Sequence, residues 1–527
     1  MEERLKIQVE PRYVKEEKGL RVFQKQTLEA IKDSLVKIIE VEAPVGAGKS
    51  HIIRRFIIDE DFKNRPIILT YPTTILMDAQ VGALRRDIEN IAIWPNDSFI
   101  PNGYNLFNYS SASLISYLTK NEGDYRLNRS ELLAQVIKNL GFYSPHMAMV
   151  TSPDVLHLMI NRKFYKGSKR LANFLQGCIV CFDEFHLYAN LENFIRLVDN
   201  LLDGIAEKII LLSATPYKAE EFSKIERKYP TKKVTFSESM GDENDLLFNH
   251  SLDVEIYQFK YTDRNLTFEK LKELIPKIEK PAAIIFDSIF RLQHLKRRIQ
   301  REFEASFKII EWSGLEKERI TLDKDTIVLG TSSIEVGIDM DFKTLITEVS
   351  YWTSAIQRIG RVGRKDRGKV IIFTRRDFGP YLESKTFFSR DTFEDDILKE
   401  VLKDPVDKLI SSEMFRGESF NFILLDEELK KIYYYSKALF AMYEIAEAID
   451  DWKILEIASK KELLSDWGIP KETITEIMLY DRIFPFWGLV KGTLRNKYVP
   501  ITSKYDKEEQ ELYIVSDENY VFYGVEL

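Results

Sequence analysis

The stretch APVGAGKS, Ala43 to Ser50, leaves this chain little freedom. It is entered from an apolar run, Val36, Ile38, Ile39 and Val41, and left through Ile52, Ile53, Phe56 and Ile57. The pattern reads as strand, glycine loop and helix, an arrangement that points backbone N–H groups and a helix N-terminus at phosphate oxygens. Gly46 and Gly48 let the backbone approach a ligand without a Cβ, with Val45 and Ala47 completing the loop. Lys49 can reach β- and γ-phosphates, and the Ser50 hydroxyl can ligate Mg²⁺. One departure stands out: Ala43 occupies the place where the general pattern has its first glycine.

A second nucleotide signal lies in GCIVCFDEFHLY, whose apolar run predicts a strand buried on both faces. It ends in Asp183 and Glu184, at the sheet edge where α/β proteins bind ligands. Asp183 suits Mg²⁺, and Glu184 suits polarising the water that attacks a γ-phosphate. A helix cap is the plain alternative for such a pair, and the upstream loop weighs against it. EKIILLSATP predicts another buried strand, ending in Ser213 and Thr215. RPIILTYPTTIL and MAMVTSPDVL repeat a strand, Thr/Ser turn and helix theme, placing Thr73 and Thr151 where hydroxyls contact a nucleic-acid phosphate or simply cap a helix.

Length and composition frame these signals. A chain of 527 residues holds several domains, and 44% hydrophobic with 30% charged residues supports packed cores. A net charge of −7 provides no global positive field, so nucleic-acid binding must be local. Cys178 and Cys181 fall inside a buried strand, an unfavourable setting for metal or redox use. No signal peptide or membrane-length apolar span is evident, which predicts a cytoplasmic protein.

The expected fold is α/β, with two tandem parallel-sheet domains and a C-terminal accessory domain. Residues 1–225 form the first domain, interrupted by an insertion at about 91–145; 226–250 form a polar linker. The second domain spans 251–375, and the accessory domain 376–527 mixes amphipathic helices with terminal strands. Near the end of the second domain lies QRIGRVGR, Gln357 to Arg364. Its arginines, Arg358, Arg361 and Arg364, recur every third residue and predict one drifting guanidinium stripe along a helix. Guanidinium planes suit the charge spread over a transferring phosphoryl group, so hydrolysis would require the second domain to close on the first.

Taken in order, these strings resemble superfamily 2 DExH-type helicases, where the AxxGxGK[ST] loop is common and two RecA-like domains cover roughly residues 15–375 here. TSSIEVGIDMDF, VTSPDVL, SATP and QRIGRVGR resemble in particular the signature helicase of type I CRISPR systems. That resemblance implies an ATP-dependent translocase and helicase on single-stranded DNA, moving 3′ to 5′ and recruited by a CRISPR surveillance complex. Many members carry a fused HD nuclease; none of the six histidines here is followed by Asp, so a separate HD nuclease chain is the expected partner.

Carried over by position, the resemblance implies Lys49, Ser50, Asp183 and Glu184 at MgATP, and Gln24 reading adenine unless it is only a surface glutamine. His186 and Gln357 would link the site across the cleft, Arg361 and Arg364 would act as fingers, and Gly337 and Asp339 would approach the nucleotide. Ser213 and Thr215 would couple hydrolysis to strand movement, while Thr73, Thr151, Thr331 and Ser332 would touch the DNA backbone. A DNA-repair or RNA helicase, or an ATP-gated clamp with little turnover, remains open at this point.

Overall fold

The computed structural model describes residues 3–402 apart from 18, 63–64, 95–96, 99, 101–102, 110–145, 161–174, 190–191, 217, 219, 262–263, 288, 313–321, 332–333, 336–339, 350 and 383–384. Beyond 402 it describes five strands, paired within a two-stranded and a three-stranded antiparallel sheet. The stretch KALFAMYEIAEAIDDWKILEIA, residues 437–458, whose pattern is one of the amphipathic helices expected of the accessory domain, lies outside the described residues.

Two eight-stranded sheets dominate. Across the first, the order is Thr231–Thr235, Ile38–Glu42, Ala206–Ser213, Cys178–Asp183, Ile67–Thr70, His146–Thr151, Tyr104–Asn108 and Ile91–Trp94, every pair parallel. Parallel strands alternate with crossover helices, so both faces are covered and the central strands are buried along almost their whole length. Cys178, Val180 and Phe182 face the core beneath Glu192–Leu202, whereas Ile179 and Cys181 face the core beneath Lys49–Ile57 and Thr74–Asp87. The CxxC spacing therefore puts the two thiols on opposite faces of one strand, and burial raises the Cys178 pKa to about 12.

The second sheet runs Lys308–Trp312, Thr326–Gly330, Ala282–Ile285, Thr344–Glu348, Gly368–Thr374, Leu252–Gln258, Glu3–Val9 and Phe387–Phe388. Its helices Arg264–Leu274 and Ile289–Phe303 cover one face, and Trp352–Ile359 covers the other. Two tandem RecA-like α/β domains result.

Four expected boundaries move. Glu3–Val9 belongs to the second sheet, antiparallel to Leu252–Gln258, although it begins the chain. The expected linker contributes Thr231–Thr235 to the first sheet, where only Val234 is fully buried, so an edge strand with two exposed lysines reads as polar sequence. Ile91–Trp94 and Tyr104–Asn108, placed in an insertion, extend the first sheet at its other edge. The second domain also continues past 375: Phe378, Phe393, Ile397 and Leu402 fill its core.

Candidate active site

The strand Ile38–Glu42 delivers Ala43 to Ser50 at the C-terminal edge of the first sheet, and the helix Lys49–Ile57 starts there. Gly46 and Gly48 take φ of 80° and 86°, left-handed values that side chains rarely adopt. A Cβ at Gly48 would lie 2.7 Å from the Gln24 amide. Lys49 is buried, and its Nζ donates to the Ala43 carbonyl (2.8 Å) and the Pro44 carbonyl (3.3 Å). Burial lowers its pKa, opposed by Glu184 and Asp183.

The strand Cys178–Asp183, next but one across the sheet with Ala206–Ser213 between, ends at the same sheet edge as this loop. Burial, then repulsion from Glu184, raises the Asp183 carboxyl to about 7, partly offset by Lys49. Such a carboxylate ionises readily only beside a cation, and hard oxygen donors suit Mg²⁺. Asp183 and the Ser50 hydroxyl, which accepts from Gln80 Nε2 (3.1 Å), fit that ion. Glu184 takes φ of 49°, uncommon outside glycine, as the chain turns from strand into the short helix Phe185–Leu187. Its Oε2 is buried with no hydrogen-bond partner among the described residues, 3.6 Å from His186 Nδ1.

His186 links the two domains. Its Nδ1 lies 2.8 Å from Ser213 Oγ and its Nε2 lies 2.6 Å from Gln357 Nε2 of the second domain. Burial lowers its pKa to about 4, so the ring is neutral near pH 7. A Gln357 N–H donated to Nε2 leaves the ring proton on Nδ1, where it donates to Ser213. Ser213 Oγ also accepts from the Thr215 N–H (3.0 Å), and Gln357 Nε2 reaches Thr215 Oγ1 (3.4 Å). One hydrogen-bonded chain thus joins the strand ends of the first domain to the second.

The predicted arginine stripe needs correction. The helix Trp352–Ile359 ends at Gly360, and Arg361 to Arg364 form a turn in which Gly363 takes φ of 75°. Arg358 points into its own domain, donating to Glu335 (2.7 Å), Asp287 (2.7 Å) and Thr347 (3.1 Å). Arg361 donates to the Glu335 carbonyl. Arg364 Nε donates to the Gly360 carbonyl (2.8 Å) and lies 3.7 Å from where a Gly46 Cβ would sit. Val45 and Gly360 touch so closely that a Cβ at Gly360 would meet Val45 at 2.7 Å. Arg361 and Arg364 both disfavour the Lys49 ammonium, which places three cations around two carboxylates.

Gln24 lies against the same loop: its Nε2 donates to the Gly48 carbonyl (3.0 Å) and its Oε1 accepts from Arg21 N (2.9 Å). Arg21, which opens the Arg-x-Phe-Gln set but takes no role from sequence alone, donates to the Gly46 carbonyl (3.4 Å) and to that of Ala47. Its signal was the spacing, three residues before Gln24 at a helix start.

The expected DNA contacts separate. Thr73 is exposed and caps the helix Thr74–Asp87, accepting from Leu76 N (3.2 Å). Thr151 ends a strand with its side chain fully buried, so no phosphate reaches it in this arrangement; the neighbouring Ser152 is half-buried and caps the next helix through Val155 N (3.4 Å). Tyr71 N donates to the Thr151 carbonyl (3.0 Å), which sets the two turns side by side. Thr331 is buried. Ser332, Gly337 and Asp339 lie outside the described residues.

Residues 21–222 match the family model described as DEAD/DEAH box helicase, and residues 262–367 match that described as CRISPR-associated nuclease/helicase Cas3, C-terminal. A putative CRISPR-associated nuclease/helicase Cas3 of Methanocaldococcus jannaschii is 23% identical over 369 residues, 66% of this chain and 46% of that protein. A CRISPR-associated helicase Cas3 of Thermoproteus tenax is 28% identical over 152 residues, 26% of each chain. The chain spans less than half the length of the curated relatives it matches. Among solved structures, the DUF1998 helicase MrfA bound to DNA and AMPPNP aligns over 98% of this chain and 75% of that one, with 14% identity and a TM-score of 0.49. No described helix is long and apolar enough to cross a membrane.

Proposed function

We propose that this chain, whose residues 21–222 match the DEAD/DEAH box helicase model and whose residues 262–367 match the Cas3 C-terminal model, is an ATP-driven helicase that translocates on single-stranded DNA, 3′ to 5′, in the cytoplasm. It acts in type I CRISPR interference, recruited by a surveillance complex and partnered by a separate HD nuclease chain. The observation that supports this reading most is the contact across the domains: His186 meets Gln357, and Arg364 reaches the glycine loop.

In this reading Lys49 and the N–H groups of Val45 to Gly48 hold the ATP phosphates, and Gln24 borders the adenine. Ser50 and Asp183 would hold Mg²⁺, which when bound would supply positive charge against the phosphates. Glu184 accepts hydrogen bonding from the attacking water, and Arg361 and Arg364 stabilise charge on the phosphoryl group in flight. His186, Ser213, Thr215 and Gln357 register whether the domains are closed. Thr73 and Ser152 hold the strand by its phosphates, a grip without sequence preference, as suits a target already chosen by guide RNA.

ATP turnover measured with and without single-stranded DNA tests this. Turnover is expected to rise at least about tenfold with DNA and to vanish in Lys49→Ala, while the DNA stays uncut. Turnover stimulated only by RNA would indicate an RNA helicase; ATP binding without DNA-stimulated turnover would indicate a clamp.

A further inference from the structure

The chain crosses between the domains at two neighbouring places. Val9 ends a strand of the second sheet and Arg12–Val14 pairs with Leu246–Asn249, with Val14 in the first domain's core; the return crossing runs from Asn249 to Leu252. Arg12 and Asn249 are partners in register. The return crossing touches the turn that carries Arg361 and Arg364, and the outward crossing reaches it through a buried ion-pair cluster. On the return, the His250 N–H donates to the Gly363 carbonyl (2.7 Å). On the outward crossing, Arg12 is buried and pairs with Glu394 (3.0 Å) and Asp391, and Glu394 pairs in turn with Arg390 (2.9 Å).

Arg390 is 2% exposed. Its Nη2 lies 3.5 Å from the Ile359 carbonyl, at the C-terminal end of the helix that leads into the turn. Its Nη1 lies 3.6 Å from where a Gly363 Cβ would sit and has no hydrogen-bond partner among the described residues. A cation at a helix C-terminus complements carbonyls left without intrahelical partners. A planar guanidinium braces that helix end and a carboxylate together more fully than a single ammonium can. The cluster Arg12, Arg390, Asp391 and Glu394 carries no net formal charge, so its burial is compensated internally.

We infer that Arg390 is a positioning residue for ATP hydrolysis: through Glu394 and Arg12 it fixes the Gly360–Arg364 turn to the interdomain crossing, so that hinge movement sets where the finger arginines stand. This rests on the reading of Arg361 and Arg364 as fingers. Displacing a catalytic group by about 1 Å costs up to about a hundredfold in rate, so the effect belongs in kcat.

The test is a double-mutant cycle on DNA-stimulated turnover, with wild type, Arg364→Ala, Arg390→Gln and the double variant, alongside ATP binding and thermal midpoints. Arg390→Gln is expected to lower kcat by about tenfold to a hundredfold with ATP affinity within about twofold, and Arg390→Lys to lose less. The double variant should fall no further than Arg364→Ala alone, because both changes disable the same group. Additive losses, an unchanged kcat, or a drop matched by weaker ATP binding would overturn the inference. So would failure of both Arg390 variants to fold, which assigns the cluster to stability. An unaffected Arg364→Ala would instead remove the finger reading itself.

Discussion

Arg361→Ala and Arg364→Ala are each expected to lower ATP turnover by about 10³-fold or more while leaving ATP affinity near wild type. The expectation follows from where the two side chains stand. Each is anchored to a backbone carbonyl of its own domain, Arg361 to Glu335 and Arg364 to Gly360, so neither depends on ATP for its orientation. Both sit close enough to Lys49 to disfavour its charge. Three cations facing the buried Asp183 and the adjoining Glu184 repel one another until a polyanion separates them, which makes the site complementary to a triphosphate. Lys49 belongs to the first domain and would hold the phosphates whichever way the second domain lies, whereas the arginines would arrive with the second domain. Binding and hydrolysis should therefore divide between the two sets of residues. Equal loss of affinity and turnover would mean that the arginines serve only to bind.

Glu184→Gln is expected to reduce turnover by about 10²-fold to 10⁴-fold and to prolong the ATP-bound state. The substitution keeps the shape and the left-handed turn but removes the proton acceptor. Glu184 Oε2 is buried, has no hydrogen-bond partner among the described residues, and lies 3.6 Å from a neutral His186, so it is free to accept from a water. Asp183 cannot substitute, because its Oδ1 accepts from the Glu184 N–H (3.0 Å) and its carboxylate is the better ligand for a divalent cation. Single-turnover hydrolysis by Glu184→Gln at saturating ATP and DNA checks this, and a rate within a fewfold of wild type would remove Glu184 as the base.

The parts of this site legible in sequence are those in which one short string carries its own chemistry. APVGAGKS and CIVCFDE each join a buried strand to the groups at its end, and a strand apolar on both faces has few alternatives in an α/β protein. What stayed hidden depends on distant partners. Glu3–Val9 carries no local sign that it pairs with Leu252–Gln258. Thr231–Thr235 looked like a linker because an edge strand needs only one buried residue here, Val234. The arginine repeat misled through its period: a spacing of three suits a helix, but Gly360 ends the helix and Gly363 bends the turn, so Arg358 faces inward while Arg361 and Arg364 face the cleft. Thr151 was misplaced because a threonine at a strand end can face either the core or the edge, and here it faces the core.

On this reading two domains complete one ATP site and must close to use it. Dyes at Lys228→Cys in the first domain and Lys272→Cys in the second would report that closure, since both lysines are largely exposed and the native Cys178 and Cys181 are buried. In the Glu184→Gln background, ATP with single-stranded DNA should draw the interdomain distances into one narrow, short state, and ADP should release it. A distance distribution indifferent to ATP and DNA would contradict the account.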